Sequence, residues 1–164
     1  MKSSCTPDIF SLTANSRSRD FARKLVRYRL SDAEWSVLAE LATRYLTEFP
    51  VLPGACVIMS AGFTALINRH TNVLAVVAAG GLAVGGKSYY RPRQAGMSGI
   101  FDQSRLDWDG HAWVIAGNHV MDLSIFRTAF SGLGPSGLRE DLAVRFGSGS
   151  GAFISKLDAM RDEE

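Results

Sequence analysis

The chain has 164 residues, is 46% apolar, and carries 18 basic against 16 acidic side chains for a formal charge of +2. That length and apolar content fit one globular domain around one core and leave little room for a second. The near balance of charge gives no reason to expect nucleic acid or an anionic membrane as a partner.

Residues 1–8 lack the apolar stretch of a secretory signal, so a cytoplasmic protein with reduced thiols is expected. Cys5 and Cys56, without an export signal, do not make a disulfide framework. A first helix is predicted at about 16–30. Its Arg17, Arg19, Arg23, Lys24, Arg27 and Arg29 spread around the helix and read as a solvated face. A second helix is capped at Ser31, with Glu34 three residues on completing a capping box. Trp35, Leu38, Leu41, Ala42, Tyr45 and Phe49 recur at helical spacing and predict its core face, and a turn at 50–54 ends it. A third helix, about 55–68, is apolar nearly all round and reads as the buried central one.

The texture then changes. The uncharged run 73–86 has 14 residues, short of the roughly 18 to 20 that a membrane helix needs, and reads as a buried strand or strand pair. A Gly- and Arg-rich irregular segment follows at 87–110, then short strands near 111–116 and 119–124 and a short amphipathic piece at 125–130. Gly147-Ser148-Gly149-Ser150-Gly151 has linker composition, so 147–164 is expected to be a flexible linker and C-terminal tail after a single domain at 1–146, with 152–164 a loosely docked or disordered helix. Helices first and an antiparallel sheet afterwards predict an α+β fold.

The chemistry rests on Cys56, His111 and Asp122, in the order thiol, imidazole, carboxylate. At the first turn of the third helix, Cys56 meets unpaired backbone N–H groups and the positive end of the helix dipole, both of which favour a thiolate. Cys56 also shares a helical face with Met59, Ser60, Phe63 and Ile67, the pattern of a small buried core thiol. If Gly117-Asn118 is a two-residue hairpin turn, Ala116 pairs with His119 and Trp113 with Asp122, and His111 and Asp122 become diagonal neighbours on one face. Their Cβ atoms then stand about 7 to 8 Å apart, a gap that an imidazole and a carboxylate together close. In that register Trp113 and Val120 extend the same face into the core. An odd-length loop puts the two on opposite faces and makes Asp102, Asp107 or Asp109 rival partners. The arrangement suits a cysteine nucleophile: the imidazole takes the thiol proton, and the carboxylate fixes the ring tautomer and stabilises the imidazolium.

The cysteine-bearing helix, then Gly-His-Ala-Trp-Val, then Val-Met-Asp-Leu-Ser over about 54–126, resembles the papain-like and transglutaminase-like cysteine enzymes, especially bacterial domains placed in that superfamily. The resemblance implies a central cysteine helix packed on an antiparallel sheet, with Cys56 as nucleophile, His111 as general base and then acid, and Asp122 as orienter. It implies a peptide, amide or acyl substrate, a thioester intermediate, and hydrolysis or acyl transfer without a cofactor. The chain departs from papain itself: no glutamine precedes Cys56, the third member is an aspartate as in transglutaminase-like enzymes and arylamine acetyltransferases, and the Cys-Gly-Ser-Cys-Trp neighbourhood is absent. An oxyanion hole then needs the Cys56 backbone N–H and a second donor, with Gln94, Gln103 and Asn72 as candidates.

Other constellations are weaker. Cys56, His111, His119 and Asp122 lack the close spacing of common zinc sites, so no metal is expected. Gly80, Gly81, Gly85 and Gly86 match no phosphate loop and predict a bulged strand and turn. Lys87 to Arg93 mixes cations with aromatics, a combination able to bind a carboxylate or phosphate, and reads first as an exposed loop. The alternative to an enzyme is a non-catalytic domain of the same fold that binds a protein partner through 87–110.

Overall fold

The computed structural model describes residues 17–52, 54–91, 110–147, 149–157 and 159. Helix α1 spans Arg19–Arg27, where Ser18 accepts from the Phe21 N–H at 3.1 Å and Tyr28 leaves helical geometry, so it is shorter than the expected 16–30. Helix α2 spans Asp32–Glu48 and opens on the expected capping box: Glu34 N–H donates to Ser31 Oγ at 3.3 Å, and the Glu34 carboxylate accepts from Ser31 N–H at 2.9 Å. Its Leu38 and Ala42 are buried, and Leu41, Tyr45 and Phe49 pack partly buried against the same core. Trp35 instead meets the ring of His119, centroid to centroid 5.1 Å.

Helix α3, Cys56–His70, packs on α2 and on the sheet, burying Cys56, Met59, Ser60, Phe63, Thr64 and Ile67. It is not buried all round as expected. With partners on those sides only, Ala65 faces solvent and Ile58 is 62% exposed. Gly62 lets the two helices approach, since a side chain there would collide with the Tyr45 ring.

Strands β1 (Ala75–Gly80), β4 (His111–Ala116), β5 (His119–Asp122) and β6 (Phe153–Lys156) form one antiparallel sheet in the order β1-β4-β5-β6. Strands β2 (Leu82–Val84) and β3 (Lys87–Tyr90) form a separate hairpin. Gly85 and Gly86 turn it at φ 59° and 77°, a two-residue connection that only glycine enters cheaply. Helices α4 (Ile125–Phe130) and α5 (Leu138–Phe146) follow β5. The molecule is therefore α+β, with helices and an antiparallel sheet.

Three elements differ from expectation. Residues 87–90 form a strand, because the Gly-Gly turn folds them back on 82–84. Helix α5 occupies a stretch for which no element was expected. Residues 153–156, expected in a loosely docked or disordered helix, instead pair with β5 from His119↔Lys156 to Asp122↔Phe153 and form the fourth strand, because the backbone edge of β5 is satisfied there.

Two cores result. Leu38, Met59, Phe63, Ile67, Val114 and Met121 join α2, α3 and one face of the sheet. Val84, Ile125, Phe126, Ala129, Leu138 and Leu142 join the hairpin to α4 and α5. Among the described residues, no helix is long and apolar enough to cross a membrane.

Candidate active site

The β4–β5 hairpin carries an imidazole–carboxylate pair. Gly117 has φ 56° and among the described residues no non-glycine residue has positive φ, so Gly117-Asn118 is a two-residue turn of the type with glycine first. The register is Ala116↔His119, Ile115↔Val120 and Val114↔Met121, the one that a two-residue turn predicts. His111 and Asp122 consequently meet, with His111 Nε2 2.5 Å from Asp122 Oδ2. Gly80 pairs with His111 on the other side and adds no side chain to that position.

The alternation has a second consequence. Val114, Ala116 and Met121 point to the face packed beneath α3, whereas His111, Trp113, Val120 and Asp122 take the opposite alternation. The main core thus lies on the other face from the one expected to extend from Trp113 and Val120. Val120 is buried all the same, and Trp113 is half-buried, its ring 6.2 Å from that of His111.

Asp122 is saturated. Its Oδ1 accepts from Ser124 N–H at 2.9 Å, Ser124 Oγ–H at 2.9 Å and Ile125 N–H at 3.0 Å, while Oδ2 faces the imidazole. The residue therefore caps the start of α4 and orients His111 at once, and the cap fixes the carboxylate that holds the ring. Arg127, one turn further on, ties this unit to the segment preceding the cysteine: Nη1 donates to Phe49 O at 2.8 Å and Pro50 O at 3.3 Å, and Nη2 donates to Leu46 O.

Cys56 is the first residue of α3 and is 8% exposed. The first intrahelical bond is Met59 N–H to Ala55 O, so the earlier N–H groups of that turn have no partner within the helix. His111 is fully buried, which by itself disfavours its charge. The Asp122 carboxylate, through charge and hydrogen bond, and then Cys56 outweigh this and push the imidazole up to about 10. Asp122 thus favours the protonated ring. The other ring nitrogen, Nδ1, is buried and has no hydrogen-bond partner.

Tyr90 completes the surroundings, its ring stacked on His111 at 5.4 Å and 20°. Burial, then Cys56 and Asp122, push its hydroxyl up, so it keeps its proton. Sequence reasoning left Tyr90 and Arg127 out of the site. The available signal for Tyr90 was Gly85-Gly86, which marks a two-residue turn and extends a strand to Tyr90; Arg127 acts across 77–81 residues of chain and leaves no local signal.

Of the expected oxyanion donors, Asn72 lies just beyond the far end of α3, about 22 Å along the helix from Cys56, and lines a groove with Arg23, Lys24 and Arg27. The chain leaves the helix there, so Asn72 cannot serve Cys56. Gln94 and Gln103 lie outside the described residues, as do Cys5, the rival carboxylates Asp102, Asp107 and Asp109, and most of the 87–110 segment. His119 faces Trp35, and among the described residues no group of His, Cys, Asp or Glu is arranged to hold a metal ion. No family model, no curated protein and no solved structure matches the chain.

Proposed function

We propose that the protein is a cysteine hydrolase or acyltransferase of papain-like or transglutaminase-like type, acting on a peptide, amide or other acyl substrate. The observation that carries this reading is the buried imidazole held by Asp122 on one nitrogen, with its other nitrogen unpartnered and Cys56 among the groups that favour its charge. Buried polar atoms are rarely left unpaired without a use. In the reaction, the Cys56 thiolate attacks the carbonyl carbon and its electron pair becomes the S–C bond, while the carbonyl π pair moves to oxygen. The tetrahedral intermediate collapses, C=O re-forms, and the amine leaves with the proton from His111 Nδ1. The now neutral His111 takes a proton from the acceptor as it attacks the thioester, and the thiolate departs. Water as acceptor makes the enzyme an amidase or peptidase; an amine makes it a transferase.

The second reading is a non-catalytic binding domain, and the 8% exposure of Cys56 favours it, since free cysteine is often a core residue. Iodoacetamide labelling followed by mass spectrometry separates the two. A nucleophile labels at Cys56 well below pH 8, with Cys5 in the same chain following an ordinary thiol curve. Coincident curves for the two cysteines would falsify the enzyme reading.

A further inference from the structure

The proposed chemistry places a negative charge on the substrate oxygen, and the first turn of α3 offers only backbone N–H to meet it. We propose that the Tyr90 hydroxyl is the second donor of the oxyanion hole; this rests on the cysteine-nucleophile reading above. Tyr90 is the last residue of β3 and is half-buried. Its ring lies nearly parallel to the His111 imidazole at 5.4 Å, which fixes the direction of the hydroxyl against the catalytic pair. That stacking sets Tyr90 beside the ring whose Nε2 is held by Asp122. Among the described residues it has no hydrogen-bond partner, whereas the adjacent Tyr89 hydroxyl donates to Gly137 O at 2.9 Å and contacts Asp141. One tyrosine of the pair is thus spent on structure, and the other has a donor that no described residue accepts.

The chemistry suits a phenol. Its proton stays on through the neutral range, because burial, Cys56 and Asp122 oppose a further negative charge. A donor fixed before the reaction strengthens its bond as charge develops on the oxygen and needs no reorganisation at that moment. The stacked imidazole keeps the phenol from rotating away, and Tyr90 holds the imidazole face against water.

Tyr90→Phe tests this on the full chain, since it keeps the ring against His111 and removes only the donor. Two reactions of Cys56 are compared: alkylation by iodoacetamide, which forms no oxyanion, and acylation by p-nitrophenyl acetate, which does. The acylation burst is read by stopped flow, with Cys56→Ala as blank. The expected result is acylation slowed about 10- to 100-fold, below the roughly 100- to 1,000-fold typical for loss of one oxyanion donor because the ester is activated, with alkylation within about twofold of wild type. An acylation loss under about fivefold overturns the proposal. Equal losses in both reactions overturn it too, because Tyr90 then acts on the thiolate and not on the oxyanion. A wild type that alkylates fast but is not acylated shows a thiolate without a hole and likewise overturns it. A wild type with slow alkylation removes the nucleophile itself, and both readings fall together.

Discussion

Replacing Asp122 by asparagine separates its two jobs. The amide oxygen in the place of Oδ1 still accepts from Ser124 and Ile125, so the cap of α4 survives. The NH2 group then stands where Oδ2 lies 2.5 Å from His111 Nε2 and donates to it. That forces the ring proton onto Nδ1 and leaves a neutral imidazole with a donor, not a base, towards Cys56. Burial then dominates, and the imidazole falls from about 10 to below its ordinary 6.5. An ordinary thiol is only about 3% ionised at pH 7, so losing the imidazolium slows alkylation of Cys56 at pH 7 by about 10- to 30-fold. Asp122→Ala also strips the cap and leaves the buried ring without its counter-charge, which costs about 3 to 5 kcal/mol. That is a large share of the roughly 5 to 15 kcal/mol that holds a domain folded. Alkylation is followed by mass spectrometry and stability by urea unfolding with tryptophan fluorescence. Asp122→Asn labelling at the wild-type rate while remaining folded refutes the role of Asp122 as orienter.

The raised folded-state pKa of His111 makes its contribution full below about pH 6.5 and lost as pH climbs through about 10. Wild-type urea midpoints should therefore fall across that window by more than those of His111→Gln; parallel curves exclude a buried imidazolium. Arg127→Met removes charged hydrogen bonds to the Phe49, Pro50 and Leu46 carbonyls and should cost about 2 kcal/mol or more in the same assay. An unchanged midpoint shows that the end of α2 is held by other contacts. Deleting 149–164 bares the edge of β5 and should lower the midpoint and promote association, read by light scattering. A monomer with the wild-type midpoint means that β6 contributes nothing to the sheet.

Local signals act over a few residues, and those were legible in the chain. The Ser31–Glu34 box starts α2 because its partners are three residues apart, and the Gly117-Asn118 turn sets the register that joins His111 to Asp122 across 11 residues. The α+β class follows from the change of period after residue 70. What the sequence left open depends on contacts between distant segments. The pleat puts His111 and Asp122 on a face, but whether that face meets the main core depends on the side of the sheet that α3 covers, and α3 covers the side of Val114 and Met121. Glycine-rich composition at 147–151 reads as a loose linker, yet β6 is held by a ladder whose other half is β5, a pairing that no local propensity encodes. Tyr90 and Arg127 reach the site for the same reason: a hairpin folds one over His111, and a guanidinium spans from α4 to the end of α2. Chain order is enough to nominate a thiol, an imidazole and a carboxylate, but tertiary packing alone sets the burial that makes the imidazole's charge depend on Asp122.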